Sequence, residues 1–272
     1  MVQLIKVIAL AISCSITTWG HGEEPVKRQL LELRTYTLKD ESASAAFDKY
    51  ATEALIPALN RLGIEPVGAF KMAAEQPVSP GASKPESTII SQPSILLVLP
   101  AKDAETIALA NERVAADKEY QAAAATYNET PSDKPLIARI SSELLVAFES
   151  WPKVNVPKQK AANQVRLFEM RTYESPTEHL GQLKVEMFNS GEVPIFLACD
   201  IQPVFMGQAI VGSVMPNLTY MTVYDSTAEL TAAWKRFSDH PDWKVLREVA
   251  KYKGTVTKIH KSNWEPTSYS QL

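Results

Sequence analysis

Cysteine is nearly absent from this 272-residue chain: Cys14 and Cys199 are the only two. Cys14 falls in an apolar N-terminal stretch, which leaves Cys199 with no partner for an internal disulfide and excludes a cystine-stapled scaffold. Cys199 ends the apolar string Pro194-Ile195-Phe196-Leu197-Ala198-Cys199, a setting that reads as a packed thiol rather than a nucleophile. Charge of either sign is not in excess. Lys and Arg number 28 against 31 Asp and Glu, a formal net charge of -3, which gives no electrostatic footprint for nucleic acid or an anionic membrane surface. No apolar run approaches the roughly 20 residues of a membrane span. The chain carries no G-x-x-x-x-G-K-[ST], no G-x-G-x-x-G, no G-x-S-x-G and no H-E-x-x-H, so no cofactor is specified and the common nucleotide, hydrolase and zinc signatures are excluded. His179, His240 and His260 lack short metal-ligand spacing, and no metal is expected.

What is present begins with a leader. Lys6 precedes an apolar run from Val7 to about Ile16, and small and polar residues follow before Glu23-Glu24. The pattern predicts a signal peptide over 1–22 and a secreted or periplasmic product, with an uncleaved anchor as the alternative and no membrane span once the leader is removed. Asn128-Glu129-Thr130 and Asn217-Leu218-Thr219 match glycosylation sequons, which matter only in a host that glycosylates exported chains.

The strongest signal is internal duplication. Glu32-Leu33-Arg34-Thr35-Tyr36 recurs as Glu169-Met170-Arg171-Thr172-Tyr173, an offset of 137. The same offset carries Pro57 to Pro194, Ile64 to Ile201, Pro66 to Pro203 and Val67 to Val204. The first copy predicts a strand at 29–37, a helix at 42–61, strands near 64–73 and 88–99, a helix at 103–127 and a strand at 136–148. The second predicts strands at 164–173, 201–211, 217–224 and 254–262, with helices about 177–197 and 226–250. Ser226-Thr227-Ala228-Glu229 is a capping box, and Pro241 interrupts the helix it starts. Pro57 and Pro194 are expected to kink or end their helices. The order is β-α-β-β-α-β twice, so the fold class is α+β: two tandem ferredoxin-like repeats. Domain 1 spans 29–149 with a loop insertion at Glu75–Ser87, a linker spans 150–163, and domain 2 spans 164–264 before a loosely ordered tail.

The E-[LM]-R-T-Y strand openings, Trp151-Pro152 and His240-Pro241-Asp242-Trp243 resemble the NIPSNAP family over about residues 29–264. That resemblance implies the dimeric α/β-barrel superfamily, here with both sheets in one chain; homo-oligomerisation is a further expectation. Relatives of the fold include small and haem-degrading monooxygenases, but a fold does not carry a function with it. The family supplies no catalytic residues to transfer. The second copy has His240 and Trp243 where the first has Asp117 and Tyr120, so only the second is expected to form a competent corner pocket.

Strand alternation puts Leu31, Leu33 and Thr35 on one face and Glu32, Arg34 and Tyr36 on the other, repeated as Phe168, Met170, Thr172 against Glu169, Arg171, Tyr173. The apolar face is expected to pack on the helices. The Glu/Arg/Tyr face then meets water, a partner sheet or a cavity; on the functional reading Arg34, Tyr36, Arg171 and Tyr173 project into the barrel interior as a candidate small-molecule site. Against this, Glu32–Arg34 and Glu169–Arg171 also read as structural pairs. His240 beside Trp243 is a candidate base or ligand, or simply a helix cap. His260 in the last strand completes the candidate set. The functional expectation is a small-molecule-binding or assembly module using the face between the two sheets; the alternative is a monooxygenase-like enzyme with Arg171, Tyr173 and His240 near the reacting ligand.

Overall fold

The computed structural model of the chain describes residues 27–73 and 92–272. The expected leader over 1–22 and the expected loop insertion at Glu75–Ser87 lie outside the described residues. Among the described residues, no helix is long and apolar enough to cross a membrane.

Among the described residues, eight antiparallel strands close into one barrel. In chain order they are β1 (Leu30–Leu38), β2 (Gly68–Met72), β3 (Ser94–Ala101), β4 (Ile137–Ala147), β5 (Leu167–Glu174), β6 (Gln202–Val211), β7 (Asn217–Tyr224) and β8 (Lys258–Pro266). Their order around the barrel is β1-β3-β2-β8-β5-β7-β6-β4. Each half contributes four adjacent strands, and two joints close the ring: β2 against β8 through Phe70–Pro266 and Met72–Trp264, and β4 against β6 through Leu145–Ala209 and Ala147–Gly207. Gly207 is required at the second joint. A Cβ there would stand 2.9 Å from the Leu145 Cβ and 3.1 Å from the Val146 carbonyl oxygen, too close for either neighbour.

The first helix of each half is one rod with a wide turn inside it. In the first half, α1 (Glu41–Tyr50), a π turn (Ala51–Leu55) and α2 (Ile56–Arg61) run on without a break. Three short helices, α3 (Ala104–Ala108), α4 (Ala110–Ala116) and α5 (Lys118–Ala123), then α6 (Ala125–Asn128), follow β3. After α7 (Lys158–Ala161), the second half repeats the rod as α8 (Glu178–Met187), a π turn (Phe188–Glu192) and α9 (Val193–Ala198). The N–H of Ile56 donates to the Ala51 carbonyl, and that of Val193 to Phe188, both bonds of the i−5 kind. Pro57 and Pro194 sit just beyond. A proline has no N–H and its ring crowds the carbonyl four residues back, so a widened turn before it lets the helix continue. The expected kink or stop is thus a π turn, copied at the same offset. Both rods end on a left-handed residue, Gly63 (φ 73°) and Asp200 (φ 61°), the usual helix exit.

Other expectations need correction. The single helix expected at 103–127 is broken into α3 to α6. Asp117 adopts extended backbone (ψ 118°) and caps α5 through the N–H groups of Glu119 and Tyr120, which ends α4. In the second half, α10 (Thr227–Asp239) is whole, capped by Ser226, and α11 (Pro241–Leu246) and a short 3₁₀ turn (Ala250–Tyr252) follow. The last strand runs to Pro266 rather than 262. The tail beyond it is not loose: Leu272 is fully buried inside the barrel, Gln271 and Ser270 bond the backbone of Val67 and Ala69, and Lys160 and Arg166 donate to the carbonyls of Ser270 and Leu272.

Three cores result. The barrel interior is filled by Leu31, Leu33, Phe70, Leu96, Val98, Leu145, Phe168, Val204, Phe205, Met221, Trp264 and Leu272, drawn from both halves. A second core lies between the first half's strands and its helices around Phe47, Leu55, Leu59 and Leu97. The third lies under α8 to α11, where Phe196 packs edge to face with Phe188, Trp234 and Phe237, and Tyr220 lies tilted against Phe188 and Phe196.

The polar rows and the barrel mouth

The two faces of β1 and β5 are the reverse of the expectation. Leu31, Leu33 and Phe168 pack inside the barrel, while Tyr36 packs on Phe47 of α1 with ring centroids 4.7 Å apart. Arg34 is directly opposite Leu97 and Glu32 opposite Leu99, both members of the helix-side core. Both faces of each strand are buried, and the interior received the more apolar one.

The charged rows are consequently dry and paired. Arg34 donates from Nε and Nη2 to the two carboxylate oxygens of Glu32, both at 2.8 Å, and Ser142 adds a hydrogen bond to Glu32 at 2.7 Å. Arg171 donates to Glu169 at 2.9 Å, Trp234 Nε1 donates to the other Glu169 oxygen at 2.7 Å, and the guanidinium lies 3.4 Å from the centroid of the Trp234 ring. Burial disfavours the charge on both arginines. For Arg34 the Glu32 hydrogen bond, and for Arg171 the nearby Tyr220 and Glu169, outweigh it and hold the proton more firmly than usual. Tyr173 shares a 2.8 Å hydrogen bond with Tyr220, whose phenol is pushed well up, first by burial and then by Tyr173. Lys261, cross-strand from Arg171, is brought down to about 8 by burial and by that guanidinium.

The two helix layers differ in one respect that repeats make visible. Lys184 donates to Glu192 at 2.7 Å, and both are buried. At the corresponding positions 137 residues earlier stand Phe47 and Leu55, also buried. His240 caps α11, its Nδ1 accepting from the Asp242 N–H at 3.2 Å, and borders a shallow surface groove with Lys235, Arg236 and Pro241. Trp243 packs on Phe237 at 4.5 Å. Of the residues that the alternative reading places near one ligand, Arg171 and Tyr173 lie under the helices, whereas His240 lies at the surface.

His260 is placed otherwise. It is opposite Thr172 on β8, on the interior face, and contacts Glu174 through Nε2. There, at the end of the barrel where β1 and β5 finish, the interior opens into a cavity of about 280 Å³. Its floor is Leu33, Leu96 and Met170; its wall carries Thr35, Ser141, Glu143, Thr172, Asn217 and His260. The halves contribute corresponding positions: Thr35 faces Ser141 across β1 and β4 as Thr172 faces His260 across β5 and β8, and Glu143 stands opposite Leu33 as Ser262 does opposite Met170. A hydrogen-bond chain runs from Thr172 to Thr219 (2.7 Å), to Asn217 (3.3 Å), and from the Asn217 amide to Glu143 Oε1 (2.6 Å). Burial raises the Glu143 carboxyl above its ordinary range, and the Asn217 bond opposes that shift in part. The other end of the barrel is filled by Leu272, whose side chain approaches Gly68. Among the described residues, no three of His, Cys, Asp and Glu converge as a metal site.

Glu143, Thr172 and Asn217 are not among the site candidates of the sequence, which marks Asn217 only as a sequon asparagine; it is buried here, with its amide on Glu143. The three residues come from three strands that meet only when the barrel closes. The one local signal was a glutamate at an interior position of β4, two residues from Leu145.

Residues 168–271 match the family model described as NIPSNAP. A comparison with curated proteins returns no match. Among solved structures, the chain is similar to a putative monooxygenase from Lactobacillus acidophilus NCFM, at 10% identity and TM-score 0.57, over 88% of this chain and 94% of that one. It is also similar to an uncharacterized NIPSNAP domain protein from Burkholderia xenovorans, at 15% identity and TM-score 0.33, over 38% of this chain and 95% of that one. The Lactobacillus likeness shows a shared fold and no more. The NIPSNAP match thus falls on the second half of the chain, over residues 168–271.

Proposed function

We propose that this chain is an exported small-molecule-binding module in which two ferredoxin-like repeats build one barrel, and that the ligand sits in the barrel mouth. The observation that carries this reading is the cavity itself. Among the described residues the interior is elsewhere packed with apolar side chains, whereas at this end Thr35, Ser141, Glu143, Thr172, Asn217 and His260 surround open space. A concave, partly apolar site with a few convergent polar groups is the usual form of a ligand pocket, and 280 Å³ is just below the common range of about 300–1,000 Å³, which suits a small molecule. The pairing of Arg34 and Arg171 within the helix layers supports a structural role for those rows.

Native mass spectrometry of the protein from the exported fraction of its host tests this. The wild type is expected to carry a small molecule that Ser141→Trp, which fills the mouth from an exposed position, releases; bare mass in both would overturn the reading. N-terminal sequencing of the same fraction is expected to start near Glu23, and a product beginning at Met1 would sink the cleaved-leader part.

A further inference from the structure

The ligand class can be read from the mouth, provided the cavity is the binding site as proposed above. Among the described residues, the acidic and basic side chains that line it are Glu143 and His260, with Glu174 behind His260. Glu174 is engaged by His260. Glu143 is different. Its Oε1 takes the Asn217 amide at 2.6 Å, while no hydrogen bond to Oε2 is formed by the described residues. No lysine or arginine is among the described residues lining the cavity. Further out both signs occur, Arg139 standing opposite Thr37 on β4 and Lys258 opposite Glu174 on β8, so the rim itself does not select a charge.

The duplication sharpens this. Glu143 answers to Ser262 in the other half, and His260 to Ser141. A half-buried carboxylate is costly without a partner, and a serine at the corresponding position shows that the barrel closes without an acid there. The acid is thus a feature of the cavity rather than of the fold. The remaining wall offers hydroxyl acceptors on Thr35 and Ser141, and the floor of Leu33, Leu96 and Met170 is apolar.

We propose that the barrel mouth binds a small organic ammonium: its N–H groups reach Glu143 Oε2 and the hydroxyls of Thr35 and Ser141, and its short apolar body lies on Leu33, Leu96 and Met170. An N–H donor carrying positive charge makes the stronger, charge-assisted kind of bond to that oxygen, and a neutral alcohol of the same shape does not.

Three probes of one shape separate the outcomes in calorimetric titration of the full chain: benzylamine, benzyl alcohol and benzoate. Benzylamine is expected to bind, the other two at least about tenfold more weakly, the difference a charge-assisted hydrogen bond supplies. Glu143→Gln keeps the shape and the Asn217 contact and is expected to lower benzylamine affinity about tenfold or more; Glu143→Asp keeps the charge and is expected to retain the preference for the amine. Circular dichroism establishes that each variant is folded. If alcohol or benzoate binds as well as the amine, Glu143→Gln changes nothing and Ser141→Trp blocks all binding, the ammonium assignment falls and the cavity stands. If no probe binds in a manner that Ser141→Trp removes, the cavity fails as well.

Discussion

Lys184 and Glu192 form an ion pair deep in the second helix layer, and the first half shows what could replace it. Phe47 and Leu55 hold the matching positions with no loss of the fold. Removing one member of a buried pair strands the other, at a cost of about 3–5 kcal/mol, whereas exchanging both for apolar side chains is often neutral or stabilising. Urea unfolding of Lys184→Met is accordingly expected to show a loss of that size, and Lys184→Phe with Glu192→Leu a change within about 1.5 kcal/mol of zero or a gain. Equal destabilisation by both variants would mean that the pair contributes more than its own neutralisation. The same scale explains the inverted strand faces. Alternation in Leu31 to Tyr36 separates two sets of side chains, but it does not say which set faces which core when both faces are covered. The charged set satisfied itself within two residues, Arg34 on Glu32 and Arg171 on Glu169, and so could lie in a dry helix layer.

At the scale of elements, much was legible in the sequence and the exceptions have reasons. The offset of 137 located both first helices, both strand openings and both prolines, because each copy repeats the same local chemistry. β6 and β7 fall within a residue of the expected 201–211 and 217–224. The helix after β3 was misjudged because an alanine-rich stretch has high helix propensity throughout, while Asp117 capped a new helix inside it. The mouth is illegible in the sequence because register decides it: Thr35, Glu143, Thr172 and Asn217 are brought together by cross-strand pairing, and of the lining only His260 is a site candidate of the sequence. The joint between β4 and β6 can be tested directly. Gly207→Ala places a methyl against Leu145 and the Val146 carbonyl, and overpacking of this sort costs about 1–3 kcal/mol. A shift of thermal midpoint of zero for that variant would show that the joint is looser than the contact implies.

For the molecule as a whole, the interior core decides how it unfolds. Leu31, Leu33 and Leu96 from one half touch the same core as Phe168, Phe205 and Met221 from the other, so neither half can open without exposing the other's apolar face. A single cooperative transition is expected, with tryptophan fluorescence, dominated by Trp234, Trp243 and Trp264 of the second half, coincident with far-ultraviolet circular dichroism. Two separated transitions would show that the halves are independent bodies. Leu272 adds a consequence of its own. Together with the rest of the apolar interior it fills the barrel at the end away from Glu143, so that among the described residues the cavity opens at the other end, as a cup does. A ligand bound there as proposed would enter and leave by that same end, which is the behaviour of a carrier or a sensor and not of a conduit.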